Sequence, residues 1–184
     1  MRRYLTLLWL AASSPRRFFE ALEPEPVRIV RAGRVAFSSL LVLSLMFIVG
    51  VARVTASDAW PPLIAAALVG AVAAFLYAWA FGSIFVQRPG SLDMRAWEVT
   101  GWSWAPALFG SLSMLVPLLV LPAVALPLLL VVVILWHCAV LRVGLSVFLG
   151  RPAGRIVTLY ALFIYALPLA LLGLVVWLTG QLQS

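Results

Sequence analysis

The sequence predicts an all-α fold: an integral membrane bundle of five transmembrane helices with an N-terminal interfacial amphipathic helix. Three observations lead there. Of the 184 residues, 65% are hydrophobic and 10% charged, whereas a soluble domain carries about 25% charged residues; so much apolar surface requires lipid as solvent. The basic residues are all arginine, thirteen of them. Twelve fall in three clusters, Arg2 to Arg34, Arg88 with Arg95, and Arg142 to Arg155, leaving Arg53 apart. A charge is costly in hydrocarbon, so the gaps between clusters mark membrane and the clusters mark one face of it.

Residues 1–34 form a cytosolic arm. Tyr4 to Ala12 is apolar but too short to span a core of about 30 Å, which needs about 20 residues. Arg2-Arg3 followed by YLTLLWLAA has the outline of a signal peptide, but no small-x-small cleavage site follows and Pro15-Arg16-Arg17 comes at once, so the segment reads as retained. Ser14 is placed to cap a helix opened by Pro15. Its Phe18, Phe19 and Leu22 would face lipid while Arg16, Arg17 and Glu20 face water. The alternative is an arm packed on its own bundle. Glu23-Pro24-Glu25-Pro26 would end this helix in a stiff elbow.

Residues 35–184 form the membrane domain, with spans at about 35–52, 61–86, 99–118, 123–148 and 156–178. The second opens at Pro61-Pro62 and stops before Gln87-Arg88. Residues 99–141 contain no charge, too long a stretch for one span and enough for two. Pro117, Pro122 and Pro127 each remove a backbone donor there, which puts the turn near residues 119–123. Five spans place the termini on opposite faces. With the N-terminus cytosolic and the C-terminus outside, twelve arginines lie inside and one outside, as the positive-inside bias requires of a plasma (inner) membrane protein. Trp60 and Trp177 then fall at the outer interface, Trp97 and Trp102 at the inner one.

The net charge of +7 flanks apolar segments rather than forming a patch on a soluble basic module, so anionic lipid headgroups, not nucleic acid, are the expected counter-charge. Arg2, Arg3, Arg16, Arg17, Trp9, Phe18 and Phe19 are the candidate lipid-surface contacts. The lone Cys138 rules out an intramolecular disulfide and a cysteine metal cage. No cofactor is expected: no phosphate loop or nucleotide motif is present. His137, the only histidine, lies near the middle of the fourth span; Tyr77, Ser111 and Tyr165 fall at comparable depth and are candidates for an intramembrane polar cluster with it. Metal binding would need three or four ligands, and no second histidine exists. Ser83 lies roughly 13 Å nearer the inner face than His137 at 1.5 Å per residue, too far for a nucleophile and its base. Arg142, two turns inside the end of its span, would snorkel to the interface or pair with Glu98 or Asp93.

Three segments, SPRRFFEAL, SLDMRAWEVTGWSWAPALFGSL and LWHCAVLRVGLSVFLGRPAGRIVTLYALFIYALP, resemble the Yip (Ypt-interacting protein) domain family, above all its prokaryotic members, over most of residues 13–178. The resemblance implies a cytosolic N-terminal segment, five closely spaced spans and a non-enzymatic protein of membrane organisation or partner binding. It names no catalytic residue. The acidic DLYGP-type motif of eukaryotic members is absent, so binding to small GTPases does not carry over. A basic cytosolic face acting on a protein partner, or within a homo-oligomer, is therefore the expected mode of action. The alternative is a small oligomeric transporter, channel or lipid-scrambling unit with His137 and Tyr77 lining a path.

Overall fold

The computed structural model describes residues 2–22, 26–55, 60–87, 94–111, 125–168 and 170. Every regular element among them is helical. The arm forms two short helices, α1 (Arg2–Ser13) and α2 (Pro15–Glu20). The long α3 (Pro26–Thr55) follows. Next, α4 (Trp60–Ala74) runs through a π-helical stretch, Phe75–Phe81, into α5 (Gly82–Phe85). Then come α6 (Met94–Trp102), a helical segment at 105–111, α7 (Ala125–Leu149), and α8 (Gly154–Ala161), which passes into a second π stretch, Leu162–Ala166.

Three helices among the described residues are long and apolar enough to cross a membrane: Ile29–Met46, Ile64–Phe85 and Leu130–Leu149. They correspond to the first, second and fourth expected spans. The third and fifth are described only in part, at 94–111 and 154–168, and the expected turn at 119–123 lies outside the described residues. The first helix starts earlier than hydropathy suggests. Pro26 opens α3, and Arg28, Arg31 and Arg34 ride on its first turns, so the boundary set at residue 34 falls inside a helix. At 1.5 Å per residue α3 is about 45 Å long, enough to carry a charged end beyond a core of about 30 Å.

The helices approach one another where side chains are small. At Gly101, a Cβ would lie 2.7 Å from the backbone carbon and oxygen of Ala32, so α6 crosses α3 backbone to backbone. The α6 helix is interrupted at Ser103-Trp104. Pro106 causes this: it has no N–H, and its ring crowds the carbonyl one turn back. The loosened turn is held by side chains, Ser103 Oγ donating to the Thr100 carbonyl at 2.7 Å and Ser39 Oγ, from α3, to the Trp104 carbonyl at 2.9 Å.

The outer surfaces of the bundle are apolar. On α4 and the π stretch after it, Leu68, Val69, Val72 and Leu76 are exposed, as are Leu128, Val131, Val132 and Leu135 on α7. Such faces are what a membrane helix presents to lipid. Trp102 is a correction. It is 1% exposed, in the core with Tyr4 and Phe18, and so is not part of an interfacial belt.

Candidate functional site

The arm is a docked helical hairpin. On α1, Leu8, Ala11 and Ala12 are buried, while Trp9, on the opposite side, is 58% exposed and meets Phe109 edge to face at 5.6 Å. The end of α1 is held by Trp136, whose indole N–H donates to the Ala12 carbonyl at 3.2 Å. Trp136 lies midway along α7, so the Ser13-Ser14 junction reaches that level. From there α2 turns back. Pro15 opens it as expected, but the Ser14 side chain makes no cap. The expected lipid-facing Phe18 and Phe19 turn inward instead, 3% and 5% exposed. Phe18 packs edge-on against Trp102 at 5.0 Å. Phe19 lies against α7 at Gly144, where a Cβ would come within 2.7 Å of the ring. The physical reason is that the bundle offers an apolar cleft of matching shape, and dense protein packing gains dispersion contacts that fluid lipid does not match. Arg16 and Arg17 stay outside; Arg2 and Arg3 head α1, their side chains outside the described set.

Arg16, Arg17, Arg31, Arg34, Arg95, Arg142, Arg151 and Arg155 are all exposed. They sit on α2, on the first turns of α3, α6 and α8, on the last turns of α7 and, for Arg151, on the link between α7 and α8. The contacts Ala32–Gly101 and Phe19–Gly144–Val99 bring those turns together. Arg16 Nε donates to Glu20 Oε1 at 2.8 Å, an exposed i,i+4 pair. Arg142 is exposed and shares a surface depression of about 670 Å³ with that pair. Glu98 is buried and takes part in an interaction of its own, and Asp93 lies outside the described residues.

His137 is wholly buried in an aromatic cage. Trp104 lies 4.2 Å from its ring, Tyr160 stacks at 5.9 Å and Tyr165 stands edge-on at 5.9 Å. The Ser103 backbone approaches the imidazole without completing a hydrogen bond of good geometry, and both ring nitrogens, Trp104 Nε1 and the Tyr165 hydroxyl have no partner among the described residues. A cavity of about 220 Å³, walled mainly by Leu40, Val133, Ile134 and Ile164, adjoins His137, Trp104 and Tyr165. Of the expected polar cluster, the structure therefore joins Tyr165 to His137. Ser111 is buried but does not line this cavity. Tyr77 points elsewhere, its hydroxyl donating to the Phe163 carbonyl at 2.6 Å.

That bond is half of an exchange. Tyr160 donates to the Ala78 carbonyl at 3.0 Å, so each helix sends a tyrosine into the π stretch of the other. A π turn breaks the regular i→i+4 ladder, and the hydroxyls satisfy carbonyls there. Ser83 is likewise spoken for: it shares a hydrogen bond with Thr100, both buried, and is not a partner of His137. Sequence reasoning did not single out Trp104, Tyr160, Ser39 or Thr100. The available signal was Pro106, which implies a broken turn needing outside hydrogen bonds. No group of three or more histidine, cysteine or carboxylate side chains fit to hold a metal occurs among the described residues.

Among known proteins, a family model described as the Yip1 domain matches residues 9–176. No curated protein and no solved structure matches the chain.

Proposed function

The chain belongs to the Yip1 domain family, and from that premise we propose that it is a five-span, non-enzymatic membrane protein acting in membrane organisation or as an accessory subunit through its basic cytosolic face. The N-terminal hairpin and the arginine-bearing helix ends would face the cytosol of a plasma (inner) membrane, with the C-terminus outside. One observation supports this reading: Arg16, Arg17, Arg31, Arg34, Arg95 and Arg142 are exposed, and each lies within about one turn of the contacts that join the arm, α3, α6 and α7. Such a cluster attracts an acidic partner and anionic lipid at once.

The transport alternative has less support. His137 is caged by aromatic rings and Tyr77 is bonded to a backbone carbonyl, so the two do not line a common path.

The test is extraction of the full chain from its own membrane into native nanodiscs. A protein partner should co-purify in fixed stoichiometry, and joint Arg31→Gln and Arg34→Gln substitution should release it. A preparation with no partner that conducts ions or scrambles lipid in reconstituted vesicles would refute the reading.

A further inference from the structure

The arginine cluster contains one site whose geometry goes further than a general attraction to anionic surfaces. Arg142 is the single charged residue of α7 (Ala125–Leu149). It lies seven residues before the helix end, about 10 Å inside it at 1.5 Å per residue. Its side chain is exposed, and it has no ion-pair partner among the described residues. A guanidinium at that depth needs a counter-charge.

The depression beside it supplies the setting. Arg16 of α2 stands on the opposite wall. Its Nε is bonded to Glu20, and its two terminal nitrogens make no bond among the described residues. Two guanidinium groups and one carboxylate leave a net charge of +1, which a single phosphodiester balances. Ala139, Leu135 and Val131, all exposed, follow at i,i+4 spacing on the same face of α7, an apolar strip leading from the charges toward and past the level of the hairpin turn. Gly150 lines the depression as well, and Gly154, the first residue of α8, lies nearby, with Arg142 Nε 3.9 Å from where a Cβ would stand.

We propose that the depression between α2 and α7 holds one anionic phospholipid of the inner leaflet, its phosphate between Arg142 and Arg16 and an acyl chain along Ala139, Leu135 and Val131. Arginine suits the role because its planar fork of five donors matches phosphate oxygens. A zwitterionic lipid carries the same phosphate but brings a cation next to two guanidinium groups, and is disfavoured. The bound lipid bridges the arm to α7. The proposal rests on the inner-face placement of the arginine-bearing end.

The experiment is native mass spectrometry of the full chain in detergent, titrated with phosphatidylglycerol or phosphatidylcholine. One phosphatidylglycerol should be retained per chain in preference to phosphatidylcholine. Arg142→Gln and Arg16→Gln should each weaken it by about tenfold, the loss of one charge-assisted hydrogen bond. Arg31→Gln, on α3, should leave it unchanged. Equal binding of the two lipids, or equal losses for all three variants, would overturn the site. Displacement by millimolar inorganic phosphate would assign it to a soluble anion and overturn it as well. Impermeant thiol labelling of Arg151→Cys in intact cells separates the two readings. Labelling from outside refutes the cytosolic assignment while leaving the lipid titration as the test of the site.

Discussion

Replacing Gly144 by valine should undock the N-terminal hairpin. A Cβ at this position lies 2.7 and 2.9 Å from Cε2 and Cζ of Phe19 and 2.8 Å from Cγ1 of Val99. Carbon atoms rest at about 3.5–4.0 Å, so the fit is short by roughly 1 Å before the two further methyl groups of valine are counted. Val99 belongs to α6, which is pinned backbone to backbone on α3 at Gly101. Phe19 is therefore the element that yields. Overpacking of this kind costs about 1–3 kcal/mol. The α7 helix itself gains a few tenths of a kcal/mol because glycine is a poorer helix former than valine. The balance, about 1–2 kcal/mol, raises the undocked population roughly 5- to 30-fold. The assay is the alkylation rate of Leu8→Cys, a fully buried position on α1, in a Cys138→Ala background. If docking depends on the Phe19 contact, the rate rises by that factor in the Gly144→Val protein. The same rate in both backgrounds would refute the argument and show that α1 is held independently of α2.

Cysteine labelling at Arg2→Cys and Ser184→Cys should report opposite faces; labelling of both from one side would defeat the five-span topology. Gly101→Val, meeting main-chain atoms of Ala32 at 2.7 Å, should abolish recovery of folded protein, whereas Gly70→Ala, with nothing within 4 Å, should hold or raise thermal stability in detergent by up to about 1 kcal/mol; similar results for the two would discredit the crossing. His137→Phe should be neutral or stabilising, because a buried polar group without a partner costs about 1–3 kcal/mol and the ring volume is kept; a marked loss of thermal stability would show that the imidazole makes a needed bond. Tyr160→Phe should cost about 1–3 kcal/mol by orphaning the Ala78 carbonyl in its π turn, and an unchanged melting temperature would mean that carbonyl is satisfied otherwise.

Three of the expected spans were legible because a solvation cost large enough to override local detail sets them. Ile64–Phe85 lies in a stretch without charge, and Leu130–Leu149 runs on past Arg142. The start of α3 was not, since Arg28, Arg31 and Arg34 mark the end of hydrocarbon and not the end of a helix. The direction of Phe18 and Phe19 was not either: an amphipathic pattern shows which side is apolar, and lipid and protein interior are both apolar. The same ambiguity misplaced Trp102. Within the membrane, residue counting gives height but not rotation about the helix axis. It put Tyr165, whose ring meets His137 edge-on, and Tyr77, whose hydroxyl is bonded to Phe163, at one height. The cage around His137 depends on the broken turn at Ser103-Trp104 and on the π stretches, features set by how three helices pack rather than by any local sequence pattern.

The docked hairpin also has a consequence for how the protein is made. Ala12 and the indole that holds it are 124 residues apart. At synthesis rates of roughly 5–20 residues per second, Ala12 is joined to the chain about 6–25 s before Trp136 exists. During that interval Leu8, Ala11, Ala12, Phe18 and Phe19 have no bundle to enter, and water is a poor host for them. The membrane surface is the available resting place, and a short basic amphipathic helix is the form in which such a segment rests there. The first residues to be synthesised are thus among the last to reach their native positions. Phe18 and Phe19 are buried in the finished protein, and until Trp136 is made the bundle that buries them is incomplete.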